Sequence, residues 1–405
     1  MERVVVTGIG IVSSIGIGKR NFWQNLLAGK SGISSIEAFD ASGYPTQVGG
    51  EIKGFNPEKH MNKKSANQYG RASQFAVVAA KLALEDSGIT LNDVSNDKNI
   101  DVIVGTTMGE TQTIETADSA WVNTGEQDVR QQWIAQYPGN TLAMSVAHEL
   151  NLTGLSIVIP TACSAGNYAI GYGYDLIKNG QSVMVIAGGS DAFSRIAFTG
   201  FNRMYAMASS KCCPFDKKRE GMLLGEGAGF VVLEPLTGAM KRNAHIYAEV
   251  LGYGLSCDAS HMTIPSEEGV AQVIRKAIKL AGIEAADVDY ISAHGTGTTT
   301  NDETESGAIN RVFGDKTREI PVSSIKSMLG HTMGAASAIE AISCCLAIYH
   351  SKIPPTINYQ NFDEECDIDC VPNVYKEKEV RVALNNSFAF GGNNACLVLG
   401  KIRNE

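Results

Sequence analysis

Short runs rich in Val and Ile, many of them ending in glycine, alternate with Ala-rich stretches along the chain. A run such as 102–105 is apolar at every position, as expected of a strand covered on both faces. A stretch such as 73–87 carries apolar residues at three- and four-residue spacing, which indicates a helix. Buried strands separated by helices predict an α/β fold with parallel sheets. The expected strands are 4–7, 102–105, 155–160, 183–188, 230–233, 246–251, 288–293, 322–325, 381–385 and 396–399, and the expected helices include 73–87, 270–281 and 335–349.

The two halves of the chain carry the same local pattern. In the first half, the strand 155–160 leads through a sharp turn into a small-residue helix that begins at Ser164. In the second half, the strand 322–325 leads through 326–331 into a helix that begins near Gly334. A unit that recurs about 170 residues later predicts a duplicated fold. We expect the two halves to span 1–238 and 239–405.

The charge balance limits the kinds of partner. The chain has 405 residues, and its 34 Lys and Arg against 43 Asp and Glu give a formal net charge of −9. Such a chain has too few cations to neutralise phosphates over a wide surface, which argues against a nucleic-acid partner. A local basic patch could still meet an acidic protein. The nine cysteines include no C-x-x-C pair, so a disulfide framework is not expected and a reducing compartment fits best.

The sequence predicts neither a secretory signal nor a membrane span. The first residues read as a strand and a glycine turn rather than as a leader. Residues 150–174 carry no charge, but Pro160 and several glycines argue against a spanning helix. Cys366 and Cys370 lie in an acidic loop with no histidine nearby in sequence, so no metal site is expected there. We expect a cytoplasmic protein.

A cysteine lies at one strand-to-helix turn. Cys163, within Thr161–Gly166, directly follows an expected buried strand. At a helix N-terminus the dipole stabilises a thiolate, and free backbone N–H groups can bind an oxyanion. The position suits a nucleophile. A free cysteine is also often just a small buried apolar residue, which is the alternative.

A histidine stands at the carboxyl end of another expected strand. His294 follows 288–293 and begins the sequence His-Gly-Thr-Gly-Thr. This edge of an α/β sheet is where ligands bind. Thr296 and Thr298 offer hydroxyls to a polar or phosphate-bearing arm. A capped turn with a hydrogen-bonded histidine is the alternative.

A lysine and a second histidine follow the strand 322–325. Lys326 is expected to be largely buried, which costs free energy unless the ammonium group is paired. Glu340, on the following helix, is the candidate partner, and a purely structural ion pair is the alternative. Lys326 and His331 stand where the second half mirrors Cys163, which favours a functional role.

A glycine-rich loop, 386–394, separates the last two expected strands. Its glycines let backbone N–H groups approach a substrate, and an aromatic residue such as Phe390 can act as a lid. A tight hairpin is the alternative interpretation.

These motifs together resemble the β-ketoacyl-acyl-carrier-protein synthases, in particular the elongating type II enzymes and the ketosynthases of type II polyketide pathways. The resemblance covers essentially the whole chain and rests on VVVTGIGIVSSIG, TACSAG, CPFDKKREGMLLGEGAG, HGTGTTTND, IKSMLGHTMGAAS and NSFAFGGNNACLVL. It implies a thiolase-like duplicated α/β fold, layered α-β-α-β-α. It implies an acyltransferase that joins an acyl-enzyme to malonyl-carrier protein by decarboxylative Claisen condensation.

The resemblance also implies roles for the singled-out residues. Cys163 matches the nucleophile that takes an acyl chain from the phosphopantetheine thiol of an acyl carrier protein. His294 and His331 match the pair that holds the malonyl thioester carbonyl. Lys326 and Glu340 match the charged pair that orients the histidines.

Further implied roles concern the oxyanion, the substrate arm, the acyl pocket and the carrier protein. The backbone N–H groups of Cys163 and Phe390 match the oxyanion hole, and Phe390 also matches a gate. Thr296 and Thr298 match contacts to the pantetheine arm. The candidate pocket residues are Met108, Phe198 and Phe201. The candidate carrier contacts, for which a solvated helix face is the alternative, are Lys63, Lys64 and Arg71.

The resemblance implies no cofactor of the chain's own, since phosphopantetheine arrives on the carrier protein. It implies a homodimer, or a heterodimer with a chain-length subunit. The chain could itself be such a non-catalytic subunit, but those have generally lost the nucleophilic cysteine that is present here. Ala389 and Asn393 stand where the family reads glycine and threonine, so the pathway stays open between fatty acid and polyketide or polyene synthesis.

Overall fold

Every strand and helix expected from the alternation is present in the computed structural model, which describes residues 2–90 and 99–402. The strands are β1 Val4–Ser13, β2 Gly16–Ile17, β3 Ser34–Ser35, β4 Val48–Gly49, β5 Asp101–Gly105, β6 Ser156–Ile159, β7 Val185–Asp191, β8 Gly227–Pro235, β9 Ala248–Cys257, β10 Tyr290–Ser292, β11 Val322–Ser323, β12 Lys352–Ile353, β13 Lys376–Glu377, β14 Val382–Phe388 and β15 Asn393–Gly400. The helices are α1 Lys19–Leu27, α2 Lys63–Gln68, α3 Arg71–Asp86, α4 Thr111–Thr124, α5 Gln131–Gln136, α6 Thr141–Leu150, α7 Ala165–Lys178, α8 Arg195–Arg203, α9 Leu236–Lys241, α10 Glu267–Ala281, α11 Thr299–Phe313, α12 Lys326–Leu329 and α13 Ala336–His350.

The order of the strands shows the duplication. One 11-stranded sheet runs β11-β10-β14-β15-β9-β1-β8-β7-β5-β6, with β2 attached to β1. The first half contributes β6-β5-β7-β8-β1 and the second contributes β11-β10-β14-β15-β9, so each strand has a counterpart at the same place. The halves meet where Val4 lies opposite Val250 and Val6 lies opposite Ala248. The predicted pair of similar halves is confirmed.

The sheet is mixed rather than wholly parallel. β5 runs parallel to β6 and β7, and β10 runs parallel to β11 and β14. The strands nearer the centre are antiparallel to their neighbours. Part of the reason is chain connection, because β14 and β15 are joined by the short glycine-rich loop, and so short a connection permits only an antiparallel hairpin.

The helices complete five layers. α7 and α13 pack on each other and touch strands of both halves, so they form the middle layer. α3 and α6 cover the outer face of the first half, and α10 covers that of the second with α11 packed against it. The order α-β-α-β-α agrees with the expectation. The carboxyl ends of three strands lie close to the beginnings of the two middle helices: Gly105 of β5 approaches Ala165, Gly189 of β7 approaches Ala335, and Ser387 of β14 binds the turn before α7.

One long apolar helical segment of the described residues is part of the core. Met333–His350 is long enough to cross a membrane and has a mean hydropathy of 1.3, but 89% of it is buried inside the protein. It includes α13, which both halves cover. The uncharged stretch 150–174 is divided between β6 and α7, with Pro160 between them. Both segments are therefore accounted for by the folded core.

Candidate active site

Cys163 lies on a strained turn between β6 and α7. It is the middle residue of the short 3-10 helix Ala162–Ser164, and Ala162 adopts the left-handed region with φ of 51°. The Ser387 hydroxyl donates a hydrogen bond to the Cys163 carbonyl at 2.9 Å. The Ser164 hydroxyl donates to the Asn393 carbonyl at 2.9 Å. The C-terminal half therefore holds the turn that carries the thiol.

The surroundings of Cys163 favour a thiol rather than a thiolate. Burial raises its pKa to about 12, and the positive charge of Lys326 opposes this shift only in part. The thiolate stabilisation expected from the helix dipole is thus outweighed by the loss of hydration. The free protein therefore carries this sulfur in its protonated form.

His331 has a defined tautomer. Its Nδ1 accepts a hydrogen bond from the backbone N–H of Met333 at 3.1 Å. Burial and the charge of Lys326 lower the pKa of His331 well below 6.5, so the ring is neutral. A neutral imidazole that accepts at Nδ1 carries its proton on Nε2. His331 therefore offers one N–H donor.

His294 lies beside His331 with a less constrained ring. The two ring centroids are 5.4 Å apart and the rings are nearly perpendicular. Glu305 anchors the backbone by accepting from the N–H of His294 at 2.9 Å and from that of Gly295 at 2.8 Å. Nδ1 of His294 is buried without a hydrogen-bond partner among the described residues. Burial lowers the pKa of His294 well below 6.5, so this ring is also neutral.

Lys326 and Glu340 lie behind the histidines as a buried ion pair. Each side chain is 2% exposed, and Nζ of Lys326 donates to Oε1 of Glu340. The predicted pairing is present. The mirror relation differs from the expectation in one respect: the 3-10 helix Met333–Ala335 matches Ala162–Ser164, so Gly334, not the lysine or the histidine, is the counterpart of Cys163.

One cavity of about 580 Å³ joins most of the predicted site residues. Within it the Thr296 and Thr298 hydroxyls are 2.9 Å apart. Phe201 and Phe390 face each other with ring centroids 5.7 Å apart. The predicted residues that line the cavity are Cys163, His294, His331, Thr296, Thr298, Phe201 and Phe390.

Two of the predicted pocket residues lie behind the cavity wall. Phe198 is fully buried, with its ring against those of Tyr44 and Phe39. Met108 packs against the same apolar cluster, to which Phe201 also belongs. Of the three predicted pocket residues, Phe201 therefore lines the cavity, whereas Phe198 and Met108 pack behind it.

The predicted basic cluster also divides. Lys63 and Lys64 are exposed at the start of α2. Arg71 is bound instead, since its guanidinium donates to both carboxylate oxygens of Glu226 at 2.6 and 2.9 Å. Glu226 is fully buried, so this pair holds α3 against β8. Arg71 thus differs from the two lysines in already binding a buried carboxylate, while 27% of its side chain stays exposed, and its contact with a carrier protein stays a prediction.

The glycine-rich loop has one unexpected property. Ala389 adopts φ of −108° and ψ of 151°, which is extended backbone open to any residue. Glycine is instead required two and three positions later, since Gly391 and Gly392 have φ of 83° and 78°. Alanine in place of the family's glycine is therefore compatible with this position of the loop.

Three polar residues of the site escaped sequence reasoning: Ser387, Glu305 and Asp191. Each of them forms hydrogen bonds to backbone groups of the site. Only Asp191 could have been singled out from the sequence, because it is an acidic residue at the carboxyl end of an apolar strand. In the described part of the chain, no group of three or more His, Cys, Asp or Glu is placed to hold a metal ion. Cys366 and Cys370 are buried in the C-terminal core.

A buried thiol beside two neutral imidazoles in a duplicated α/β fold defines a thiolase-like acyltransferase. Residues 1–239 match the N-terminal domain of beta-ketoacyl synthase and residues 247–360 match its C-terminal domain. The chain belongs to the β-ketoacyl synthase family.

Relatives resemble the chain over nearly its full length. It is 40% identical to 3-oxoacyl-[acyl-carrier-protein] synthase 2 of Coxiella burnetii and 38% identical to that of Staphylococcus aureus, with at least 98% of each chain covered. Among solved structures, the ishigamide ketosynthase/chain length factor has 44% identity and a TM-score of 0.96, over 99% of this chain and 100% of that one. A type II polyketide ketosynthase in complex with its acyl carrier protein, bound to the hexaketide, has 32% identity and a TM-score of 0.91, with 99% and 100% covered.

Proposed function

We propose that this chain is an elongating β-ketoacyl synthase that condenses an acyl group on Cys163 with malonyl-acyl carrier protein. The observation that carries the proposal is the single cavity shared by Cys163, His294 and His331. Full-length similarity to 3-oxoacyl-[acyl-carrier-protein] synthase 2 supports the substrate class. The proposed halves, 1–238 and 239–405, contribute the thiol and the two histidines respectively.

The first half-reaction loads the enzyme. The sulfur of Cys163 attacks the thioester carbonyl of acyl-carrier protein, a new C–S bond forms, and the C–S bond to pantetheine breaks. The thiol proton, which the raised pKa keeps on Cys163 until the step begins, passes in this proposal to the departing pantetheine sulfur. In this proposal the backbone N–H groups of Cys163 and Phe390 receive the developing oxyanion.

The second half-reaction makes the carbon–carbon bond. Malonyl-carrier protein loses CO₂, and the electron pair of the broken bond forms an enolate. Nε2–H of His331 and a ring N–H of His294 stabilise the enolate oxygen, as neutral donors can. The enolate carbon then attacks the acyl carbonyl, and the sulfur of Cys163 leaves and takes up a proton. Lys326 and Glu340 hold the histidine-bearing segment from behind.

The carrier protein supplies the phosphopantetheine arm, so the proposal needs no cofactor bound by this chain. Thr296 and Thr298 line the cavity where that arm would pass. Lys63 and Lys64 are exposed cations in a chain of net charge −9 and are the proposed contacts for the acidic carrier. A chain of this kind is proposed to work in the cytoplasm.

We also propose that the enzyme acts as a dimer. Among the described residues, β6 ends the sheet and pairs only with β5, which leaves its outer edge open there. Leu155, just before β6, is 41% exposed, and Met144, on the helix packed against β6, is 49% exposed. An open strand edge beside exposed apolar side chains suits a second copy. A chain-length subunit is the other candidate partner, because the solved structure with 44% identity is a ketosynthase/chain length factor.

The alternative that the chain is itself a non-catalytic chain-length subunit fits the site less well. Such a subunit has no use for a thiol beside two donor histidines. Fatty acid and polyketide pathways both remain within the proposal, since relatives of both kinds match over the full length.

The deciding experiment is intact-protein mass spectrometry after mixing the chain with medium-chain acyl-carrier protein, followed by peptide mapping. We expect one acyl increment on Cys163, none on Cys163→Ala, and an unchanged increment on Cys257→Ala, which removes the exposed thiol. A covalent acyl group that persists on Cys163→Ala would refute the assignment.

A further inference from the structure

One buried carboxylate is saturated with hydrogen bonds from the two parts of the site. Asp191, at the end of β7, is fully buried. Its Oδ1 accepts from the Thr106 hydroxyl at 2.7 Å and from the Met108 backbone N–H at 2.9 Å. Its Oδ2 accepts from the Thr107 N–H at 2.8 Å and from the Gly334 N–H at 2.6 Å. Each oxygen thus accepts two hydrogen bonds, as suits an ionised carboxylate, which only accepts.

The bonds on one side of Asp191 reach the acyl pocket. They fix the chain from Thr106 to Met108 as it leaves β5, and the Gly109 N–H in turn donates to the Thr106 hydroxyl at 2.9 Å. Met108 packs in the apolar cluster that includes Phe201, a lining residue of the cavity. Asp191 thus sets the position of one pocket wall.

The bond on the other side reaches His331 through its turn. Asp191 accepts a hydrogen bond from the N–H of Gly334. The residue before it, Met333, lies in the left-handed region with φ of 56°. The N–H of Met333 holds Nδ1 of His331. Two successive backbone N–H groups of this turn therefore donate to different side chains: that of Met333 to His331 and that of Gly334 to Asp191. The direction of the His331 ring depends on that turn.

We propose that Asp191 is a positioning residue that sets the acyl pocket wall and the malonyl-binding histidine relative to each other. The inference rests on the proposed function of His331. It adds a residue of the N-terminal half to the control of a residue of the C-terminal half. Asp191 itself touches neither substrate nor the reacting atoms, so its effect is on geometry.

The test is Asp191→Asn, measured in the two half-reactions separately. The amide keeps the shape but presents one oxygen and an N–H₂ group to four donors, so some of them lose their acceptor. We expect the rate of acylation of Cys163 to stay close to that of the wild-type protein and the rate of condensation to fall on the order of 10- to 100-fold. The rate of acylation is spared because none of the four donors to Asp191 belongs to the Cys163 turn, while the preferred acyl length should change with the pocket wall that Asp191 holds.

Asp289→Asn is the matched control. That carboxylate also accepts from two backbone N–H groups, those of Arg381 and Val382 at 2.8 and 3.1 Å. It lies at the amino end of β10, away from His294 at the carboxyl end. We expect both half-reactions to be unchanged in this variant.

A second variant keeps the test decisive if Asp191→Asn does not fold. Thr106→Val removes only the hydroxyl on the pocket side, and we expect it to change the preferred acyl length while condensation proceeds. Equal loss of both half-reactions in folded Asp191→Asn, unchanged condensation in it, or an unchanged length preference in Thr106→Val would each overturn the inference. If the wild-type protein neither became acylated nor catalysed condensation, the proposed function itself would be refuted.

Discussion

Lys326 and Glu340 form an ion pair from which water is almost wholly excluded, each side chain being 2% exposed. Burial raises the pKa of Glu340 to about 7, and the lysine charge holds it from rising further. The second oxygen of Glu340 has no hydrogen-bond partner within the described residues. With so little water nearby, each side chain needs the opposite charge of its partner to stay ionised.

Removing one member of this pair is expected to cost much more stability than removing both. Lys326→Met should lower the free energy of unfolding by about 3–5 kcal/mol, because it leaves a buried carboxylate unpaired. Lys326→Met with Glu340→Leu should recover most of that loss while condensation stays low, since the support behind the histidines is still missing. Chemical denaturation and a condensation assay measure the two effects. Lys401→Met, at the exposed pair with Glu379, should change stability by less than about 1 kcal/mol, and an equal loss at both sites would contradict the argument.

The two histidines are expected to act after acylation. His294→Ala or His331→Ala should lower condensation far more than transfer of the acyl group to Cys163, because the lost N–H donors serve the enolate. Single-turnover assays of each half-reaction give the comparison. His350→Ala removes a ring stacked on Trp23 at the opposite end of α13 and should leave both steps intact. Equal loss of both steps in the His294 and His331 variants would argue against this division.

The pH dependence of Cys163 follows from its raised pKa. With a pKa of about 12, the thiolate fraction increases about tenfold per pH unit throughout the neutral range. Alkylation of Cys163 by iodoacetamide should therefore accelerate about tenfold per unit from pH 7 to pH 9 without a plateau. Peptide mapping follows the rate, with Cys163→Ala as the blank. A plateau near pH 7 would show a thiolate already formed in the free enzyme.

Shortening a supporting residue of the pocket should change which acyl chains fit. Met108→Ala opens space in the cluster behind Phe201, so the preferred acyl chain should lengthen. Competition between acyl-carrier proteins of different length measures the shift. Met240→Ala removes a side chain that is 65% exposed on α9 and serves as control. An unchanged product profile in Met108→Ala would remove that residue from the pocket.

The exposed lysines of α2 provide a test of docking. Lys63→Glu with Lys64→Glu should raise the KM for acyl-carrier protein on the order of tenfold with little change in kcat, because the charges guide encounter rather than chemistry. The effect should shrink as ionic strength rises. Lys241→Glu, at the opposite end of β8 from the Arg71–Glu226 pair, is the control. A KM that is unchanged, or that changes as much in the control, would place the carrier elsewhere.

Local patterns in the sequence predicted what depends on neighbours along the chain. Strand and helix positions followed from periodicity, and the Lys326–Glu340 pair followed from the cost of burying a lysine near one acid on the next helix. The motifs also identified the cavity residues. Only the resemblance to a known family predicted that these residues meet in one site, since no spacing rule connects Cys163 with His294.

What the sequence could not predict depends on distant contacts. Arg71 resembled a surface cation because its partner, Glu226, is 155 positions away. The raised pKa of Cys163 likewise depends on burial by both halves, which a helix-dipole argument does not include. Asp191 stands alone in sequence, and only the fold brings Thr106 and Gly334 to its two oxygens.

The repeated turn has a consequence for where the thiol can lie. Cys163 has Gly334 as its counterpart, yet a Cβ atom at position 334 would lie 2.5 Å from the carbonyl carbon of Thr106. A cysteine at position 334 would therefore force the backbone at Thr106 and Thr107 to move. Close packing at this glycine thus keeps the thiol in one half of the molecule and leaves the mirror turn to hold His331.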